Sequence, residues 1–288
     1  MKVLIIGTGL IGESLVTQLE GRGHQVTVAG RRKIAERYIE FDLAVHSPNR
    51  LLAALPEVVV FSAAMTGFKQ VESNLALSES INVLSTIKTL DVLQQVAHVV
   101  FLSTSAIFDG TIAYPSEFVT PRPVTAYANQ KLRVEKFLQE KDDSNFSIVR
   151  LTKVLNSNAP ILKSWQAQLT AGQTIAPFED IIVSPVSLSY TLTSLAEISE
   201  KKLSGIFHLS NMQDFSYADI ASLYCKHNLI DERRIKPIES FDSNVEVAHR
   251  PRFASLGMGI TTTKAGIYPY KVVSLEELFG LPQLRGNQ

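Results

Sequence analysis

The chain has 288 residues, and 28 Lys plus Arg offset 28 Asp plus Glu, so its net charge is zero. That balance excludes the cationic field of a nucleic-acid binder and the basic face of a membrane-surface protein. The length holds one large or two modest domains, the single cysteine excludes a disulfide framework, and no apolar run approaches the ~20 residues of a membrane span. The expectation is a cytoplasmic protein whose partners are neither nucleic acid nor membrane.

Met1-Lys-Val-Leu-Ile-Ile6 reads as a strand. The glycine turn behind it sets it apart from a secretion leader. Gly7-Thr-Gly9-Leu10-Ile11-Gly12 follows, then Glu13 to Leu19 with helical spacing of apolar residues. Strand, tight turn and helix in this order suit a dinucleotide. Gly7 permits the turn, Gly9 lets backbone approach a pyrophosphate, and Gly12 lets the helix pack close. The helix start offers N–H groups to the phosphates.

Gln25-Val-Thr-Val-Ala29 reads as the second strand and runs into Gly30-Arg31-Arg32-Lys33. No carboxylate stands there to hold the ribose 2′-hydroxyl of NAD. Arg31 and Arg32 suit a 2′-phosphate, so NADP is expected ahead of NAD. Asp42 follows a third short strand and is expected at the adenine.

Pro56 to Ala64 reads as a buried parallel strand ending in Ser62, Ala63 and Ala64, small residues that leave room for a cofactor. Ser80 to Val96 reads as a long helix. Asn82 on it is a candidate for positioning Lys131, with plain helix packing as the alternative. His98 to Ser103 is the next strand. Strands alternating with helices predict an α/β fold, a Rossmann-type doubly wound parallel sheet with a smaller C-terminal substrate-binding α/β region. Ligands gather at the carboxyl ends of such strands, where Gly7–Gly12, Ser62–Ala64 and Ser103–Ser105 all fall.

Tyr127-Ala-Asn-Gln-Lys131 places a tyrosine and a lysine four apart, on one helix face. An unperturbed phenol is a poor acid–base group near neutrality, and a cation one turn away stabilises its phenolate. Beside a nicotinamide, Tyr127 would exchange the proton and Lys131 would also hold the ribose. Thr104 or Ser103 would hydrogen-bond a carbonyl, and Ser103 is also expected among the cofactor-binding residues.

Together these stretches resemble the extended short-chain dehydrogenase/reductases and, more narrowly, the dTDP-4-dehydrorhamnose reductase family. The resemblance rests on Gly7–Gly12, Ser103 to Gly110, Tyr114-Pro-Ser-Glu117, Tyr127–Lys131 with Val134-Glu135, Ser204 to Ser210, and Arg250-Pro-Arg252. It implies that Thr104, Tyr127 and Lys131 are catalytic and that a 4-keto group on a nucleotide-linked deoxysugar is reduced, usually with NADPH. It also implies a possible homodimer through helices near 80–97 and 127–140.

Departures cluster where a sugar would sit. The family's Asp-Tyr after the threonine is Ser105-Ala106, its Thr-Ser-Trp after the arginine is Leu151-Thr152-Lys153, and its asparagine before the small-residue loop is Phe61. Ser105 becomes a candidate substrate contact, and Lys153 is read either as facing an anionic group or as reaching solvent. An acid-dependent dehydratase is disfavoured. A sugar-nucleotide epimerase and a non-catalytic nucleotide-binding regulatory subunit stay open.

In the second half, 161–170 reads as a helix with Trp165 in the core, 181–187 as a segment returning to the main domain, and 189–196 as a helix. Gly205 to Ser210 reads as a strand that makes His208 structural. Ser216 caps another helix, and Cys225 packs within it. Arg250 and Arg252 are candidates for a nucleotide diphosphate. A short helix at 274–278 precedes a loose polar tail. The expected division is 1–155, the dinucleotide-binding domain with the Tyr/Lys helix, and 156–288, mainly substrate-binding, with 181–207 returning to the first domain. The six histidines are scattered, so no metal is expected.

Overall fold

In the computed structural model, which describes residues 1–141, 145–272 and 275–279, seven parallel strands form one sheet. They are β1 (Lys2–Ile6), β2 (Gln25–Gly30), β3 (Tyr38–Glu40), β4 (Val58–Phe61), β5 (His98–Thr104), β6 (Phe146–Leu151) and β10 (Gly205–Leu209), in the order β10-β6-β5-β4-β1-β2-β3. The order reverses between β1 and β4, and a crevice opens beyond their carboxyl ends.

Strand residues alternate between two apolar layers, as a period of two requires. Val3, Ile5, Val58, Val60, Val100 and Leu102 face one layer. There α1 (Leu10–Gly21) packs against α7 (Leu188–Glu200). Leu4, Ile6, Val59, Phe61, Val99 and Phe101 face the other. That side carries α4 (Thr86–Leu93) and α5 (Ala126–Gln139).

Two glycines bring β1, α1 and β4 together. Gly7 has φ +117°, and a Cβ there would lie 2.6 Å from Ser62 Oγ and 2.7 Å from Ala63 N. A Cβ on Gly12 would lie 2.1 Å from Gly7 O. Backbone stands in both places, so no side chain can yield.

The long helix expected over 80–96 differs in start, end and geometry. Helix starts at α2 (Phe68–Ser73), resumes as α3 (Leu75–Glu79), passes through a π-type turn over Ser80–Ser85, and ends with α4 at Leu93. Thr86 Oγ1 donates to Ile81 O, five residues back, at 2.9 Å. The wide turn aims Asn82 inward. Its amide accepts from Met65 N at 2.8 Å and donates to Met65 O at 2.9 Å and to Gln130 Oε1 at 2.8 Å. Asn82 thus ties the loop after β4 to α5, as π turns at functional sites often do. Among the described residues, no hydrogen bond joins it to Lys131.

The later chain adds β7 (Lys153–Leu155), α6 (Pro160–Thr170), β8 (Ile182–Val183), β9 (Pro185–Ser187), β11 (Phe215–Ser216), α8 (Tyr217–His227), α9 (Gly259–Ala265) and α10 (Leu275–Phe279). β9 pairs with β7, and β8 with β11. Trp165, Cys225, Tyr224 and Ile220 share a third apolar cluster. Ser216 and Asp219 close a reciprocal cap on α8. The sequence expectation of a polar tail falls at 280–288, outside the described residues.

Gly12→Ala is expected to cost about 1–3 kcal/mol through overpacking. The urea midpoint checks this, and Gly9→Ala, whose Cβ would meet nothing within 4 Å, is the control.

Candidate active site

The carboxyl ends of β1, β4 and β5 converge on one place. Gly9 precedes α1 with no side-chain cap on the helix, so the first N–H groups are left for a ligand. The open space at Gly9 and the small loop Ser62–Ala64 form a cradle that fits a dinucleotide pyrophosphate. Ser62 Oγ donates to Ile6 O at 3.0 Å, fixing that loop on β1.

Beyond β2, Arg31 is exposed, and among the described residues it makes no ion pair. Arg32 differs from expectation: it donates to Thr8 O at 2.8 Å and to Glu13 Oε2 at 3.0 Å. Arg32 therefore clips onto the glycine turn, and Arg31 has no such tie. Asp42 accepts from Ala44 N at 2.9 Å, closing its own turn after β3.

Thr104 ends β5. Its Oγ1 accepts from Ala106 N at 3.2 Å, which leaves the hydroxyl proton to donate elsewhere. Thr104, Ser105 and Lys153 line a cavity of about 1290 Å3 that extends to Trp165, Tyr217 and His249. The Ser103 side chain turns inward. Its hydroxyl donates to Glu135 Oε1 at 2.5 Å, inside the protein. Neighbouring strand residues face opposite ways, so Ser103 and Thr104 cannot share one carbonyl.

Tyr127 and Lys131 lie one turn apart on α5, which Thr125 caps through Ala128 N. α5 packs against β5 and the turn after it, Ser105–Ile107. Burial pushes the Tyr127 phenol up to about 12. Burial drives the Lys131 ammonium down to about 7, while the Glu135 carboxylate pulls the other way. Lys131 Nζ sits 4.1 Å from the centre of the Phe101 ring. The Phe68 ring stands edge-on to Tyr127 at 5.8 Å and to His249 at 6.4 Å. Phe68 and His249 line the cavity; no feature of the sequence marked either one.

Arg250 and Arg252 are not among the cavity-lining residues, whereas His249, Pro251 and Phe253 are. Arg250 Nε donates to Ser240 Oγ at 2.9 Å and its guanidinium lies over the Phe241 ring at 4.1 Å. Arg252 lies over Phe253 at 5.2 Å. Pro251 presses on Gly110, whose Cβ would lie 2.3 Å from Pro251 Cβ. Phe108-Asp-Gly110 and Arg250-Pro-Arg252 thus form one contact. His208 is structural: its Nδ1 donates to Gly257 O at 2.8 Å, and burial, then Arg150, lowers it to about 4. Among the described residues, no group of His, Cys, Asp and Glu could hold a metal.

Lys131 predicts a pH dependence of stability. Its folded value of about 7 lies below its ordinary 10.5, so between these the unfolded chain binds the extra proton. Stability should rise with pH through that window. Urea midpoints at neutral and mildly alkaline pH should show the rise in the parent and not in Lys131→Met.

The chain is 25% identical over 236 residues to a probable low-salt glycan biosynthesis reductase, Agl14, of Haloferax volcanii, covering 76% of this chain and 77% of that one. It is 23% identical over 279 residues to methionine adenosyltransferase 2 subunit beta of Bos taurus, covering 88% and 80%. The dTDP-4-dehydrorhamnose reductase of Bacillus anthracis, solved with NADP, superposes with TM-score 0.81 at 20% identity over 93% of both chains. A family model described as RmlD substrate binding domain matches residues 1–272. With that match over nearly the whole sequence, and with the glycine cradle and Tyr/Lys helix in place, the chain belongs to the RmlD substrate binding domain family.

Proposed function

We propose that the chain is an NAD(P)-dependent reductase of a keto group on a nucleotide-linked sugar or similar substrate, with NADPH preferred. The observation that carries this is the placement of Thr104 at the cavity wall, with α5, bearing Tyr127 and Lys131, packed against the strand that ends there. The relatives named as reductases support it. Residues 156–288 supply most of the substrate wall.

A nicotinamide cofactor, when bound, supplies the hydride. Gly9 and the start of α1 bind its phosphates, and Arg31 takes the 2′-phosphate. Thr104 donates its free hydroxyl proton to the substrate carbonyl and orients it. Tyr127 stays protonated at neutral pH, since burial holds it near 12. It gives its proton to the alkoxide, a stronger base than its own phenolate. Lys131, in its charged form, stabilises that phenolate until it is reprotonated. Lys153, exposed on the cavity wall, faces an anionic part of the substrate.

No helix among the described residues is long and apolar enough to cross a membrane. The cytoplasm is the proposed compartment, and a homodimer through α3, α4 and α5 the proposed assembly; Leu75, Leu77 and Leu84 stand exposed on that stretch. A second reading, an accessory nucleotide-binding subunit, is favoured by the likeness to the adenosyltransferase subunit. The intact Thr104, Tyr127 and Lys131 weigh against it.

Two measurements test the proposal. NADPH fluorescence should show tight binding, and turnover on a panel of dTDP- and UDP-linked 4-keto sugars should fall by about 10²-fold or more in Tyr127→Phe with NADPH binding kept. Binding without turnover on the whole panel would favour the accessory subunit. Arg31→Ala should weaken NADPH by about 10-fold or more, the worth of a charge-assisted hydrogen bond, and leave NADH unchanged.

A further inference from the structure

On the α5 side of the sheet, a polar row interrupts the apolar layer. Ser103, Arg150 and His208 are register partners across β5, β6 and β10. Glu135 comes down on them from α5. Its carboxylate accepts from Ser103 Oγ at 2.5 Å, from Arg150 Nε at 3.1 Å and from Arg150 Nη2 at 2.7 Å. Glu135 is 0% exposed, Arg150 2% and Lys131 4%. Lys131 is one turn before Glu135 on the same helix face. Among the described residues, Lys131 makes no hydrogen bond or ion pair; its contact is the Phe101 ring.

Two buried cations therefore lie near Glu135, and one of them has no direct partner. Arg150 is satisfied: besides Glu135 it reaches His208 Nε2 at 3.3 Å. The carboxylate of Glu117 is turned toward Thr261, whose N–H and hydroxyl both donate to it at 2.9 Å. An isolated ammonium in such surroundings gives up its proton.

We infer that Glu135 is a positioning residue for the catalytic pair: clamped by Ser103 and Arg150, it supplies the counter-charge that keeps Lys131 an ammonium in a site closed to water. The inference rests on the reading of Tyr127 and Lys131 as that pair. The ionisable groups around Lys131 are Tyr127 and Glu135 on α5 and Arg150 on β6, with His208 on β10 and Glu117 behind them. On α2 and α3, Glu72 receives Ala126 N and Glu79 pairs with Arg133. On α4, Asp91 pairs with Lys141. Each of those three carboxylates is engaged by a partner other than Lys131.

The test is titration of Lys131 in the whole, cofactor-free chain by NMR of 13C-labelled lysine, with the signal assigned by its loss in Lys131→Met. In Glu135→Gln the midpoint should drop by about one pH unit or more, leaving roughly a tenth of the ammonium at neutral pH. Glu135→Asp should recover part of the shift. A folded Glu135→Gln that titrates like the parent overturns the inference. Where the single variant does not fold, Glu135→Gln/Arg150→Met removes both charges of the ion pair. A smaller drop supports the inference, and a parental midpoint overturns it, because Glu135 would then serve Arg150 alone. The pH at which NADPH affinity falls should move down with the Lys131 midpoint. Failure of the parent to bind NADPH would defeat the catalytic reading, while the lysine titration would still decide whether Glu135 holds the charge.

Discussion

Glu135 and Arg150 meet fully buried, and the placement of α5 depends on that meeting. The guanidinium rises from β6 in the middle of the sheet, and the carboxylate descends from α5. Neither can be left alone: breaking one partner of such a pair costs about 3–5 kcal/mol, more than a packed apolar substitute would. The pair therefore adds little net stability but fixes one register. α5 cannot slide by a residue without stranding a buried charge. That constraint sets the height of Lys131 over Phe101 and of Tyr127 beside the end of β5.

Around this point the other contacts act as braces. Asn82 binds the backbone of Met65 on one side and Gln130 on the other, so the loop that would face a cofactor shares a support with α5. Gln130 in turn donates to Ser78 Oγ at 2.9 Å. Gly7 and Gly12 bring α1 down against β1 and β4 with no space left between backbones. The cradle at Gly9 and the hydroxyl of Thr104 are thereby held to the same sheet edge. Preorganisation of this kind lets fixed dipoles act on a developing charge without reorganising first.

Much of this could be read from residues alone, for definable reasons. The apolar strands and their alternation with helices follow from periodicity, and the glycine spacing follows from contacts a Cβ would forbid. Even the fate of Ser103 was encoded: it shares parity with Val99 and Phe101, which face α5, while Thr104 shares parity with Val100 and Leu102. What sequence lacked was the layer each parity meets. The π turn had no signature, because one wide turn leaves the helical spacing of apolar residues almost intact. Arg250 and Arg252 misled for a related reason. Arginines two apart suit a diphosphate, but Arg250 is held by Ser240 and Phe241, Arg252 lies over Phe253, and neither lines the cavity.

The placement of these arginines also bears on substrate choice. With neither arginine among the lining residues, the charged side chains on the cavity wall are Lys69, Lys153, Glu72 and Glu246, two of each sign. A diphosphate bound there would be met by single lysine charges, not by arginine forks. A lysine offers a point charge without bidentate geometry, so it would hold an anion loosely and discriminate weakly among phosphate arrangements. Discrimination then falls to the aromatic end, where Phe68 stands between Tyr127 and His249. That ring stands at the start of α2, within one residue's reach of Tyr127 and just beyond the loop that Asn82 fastens to α5.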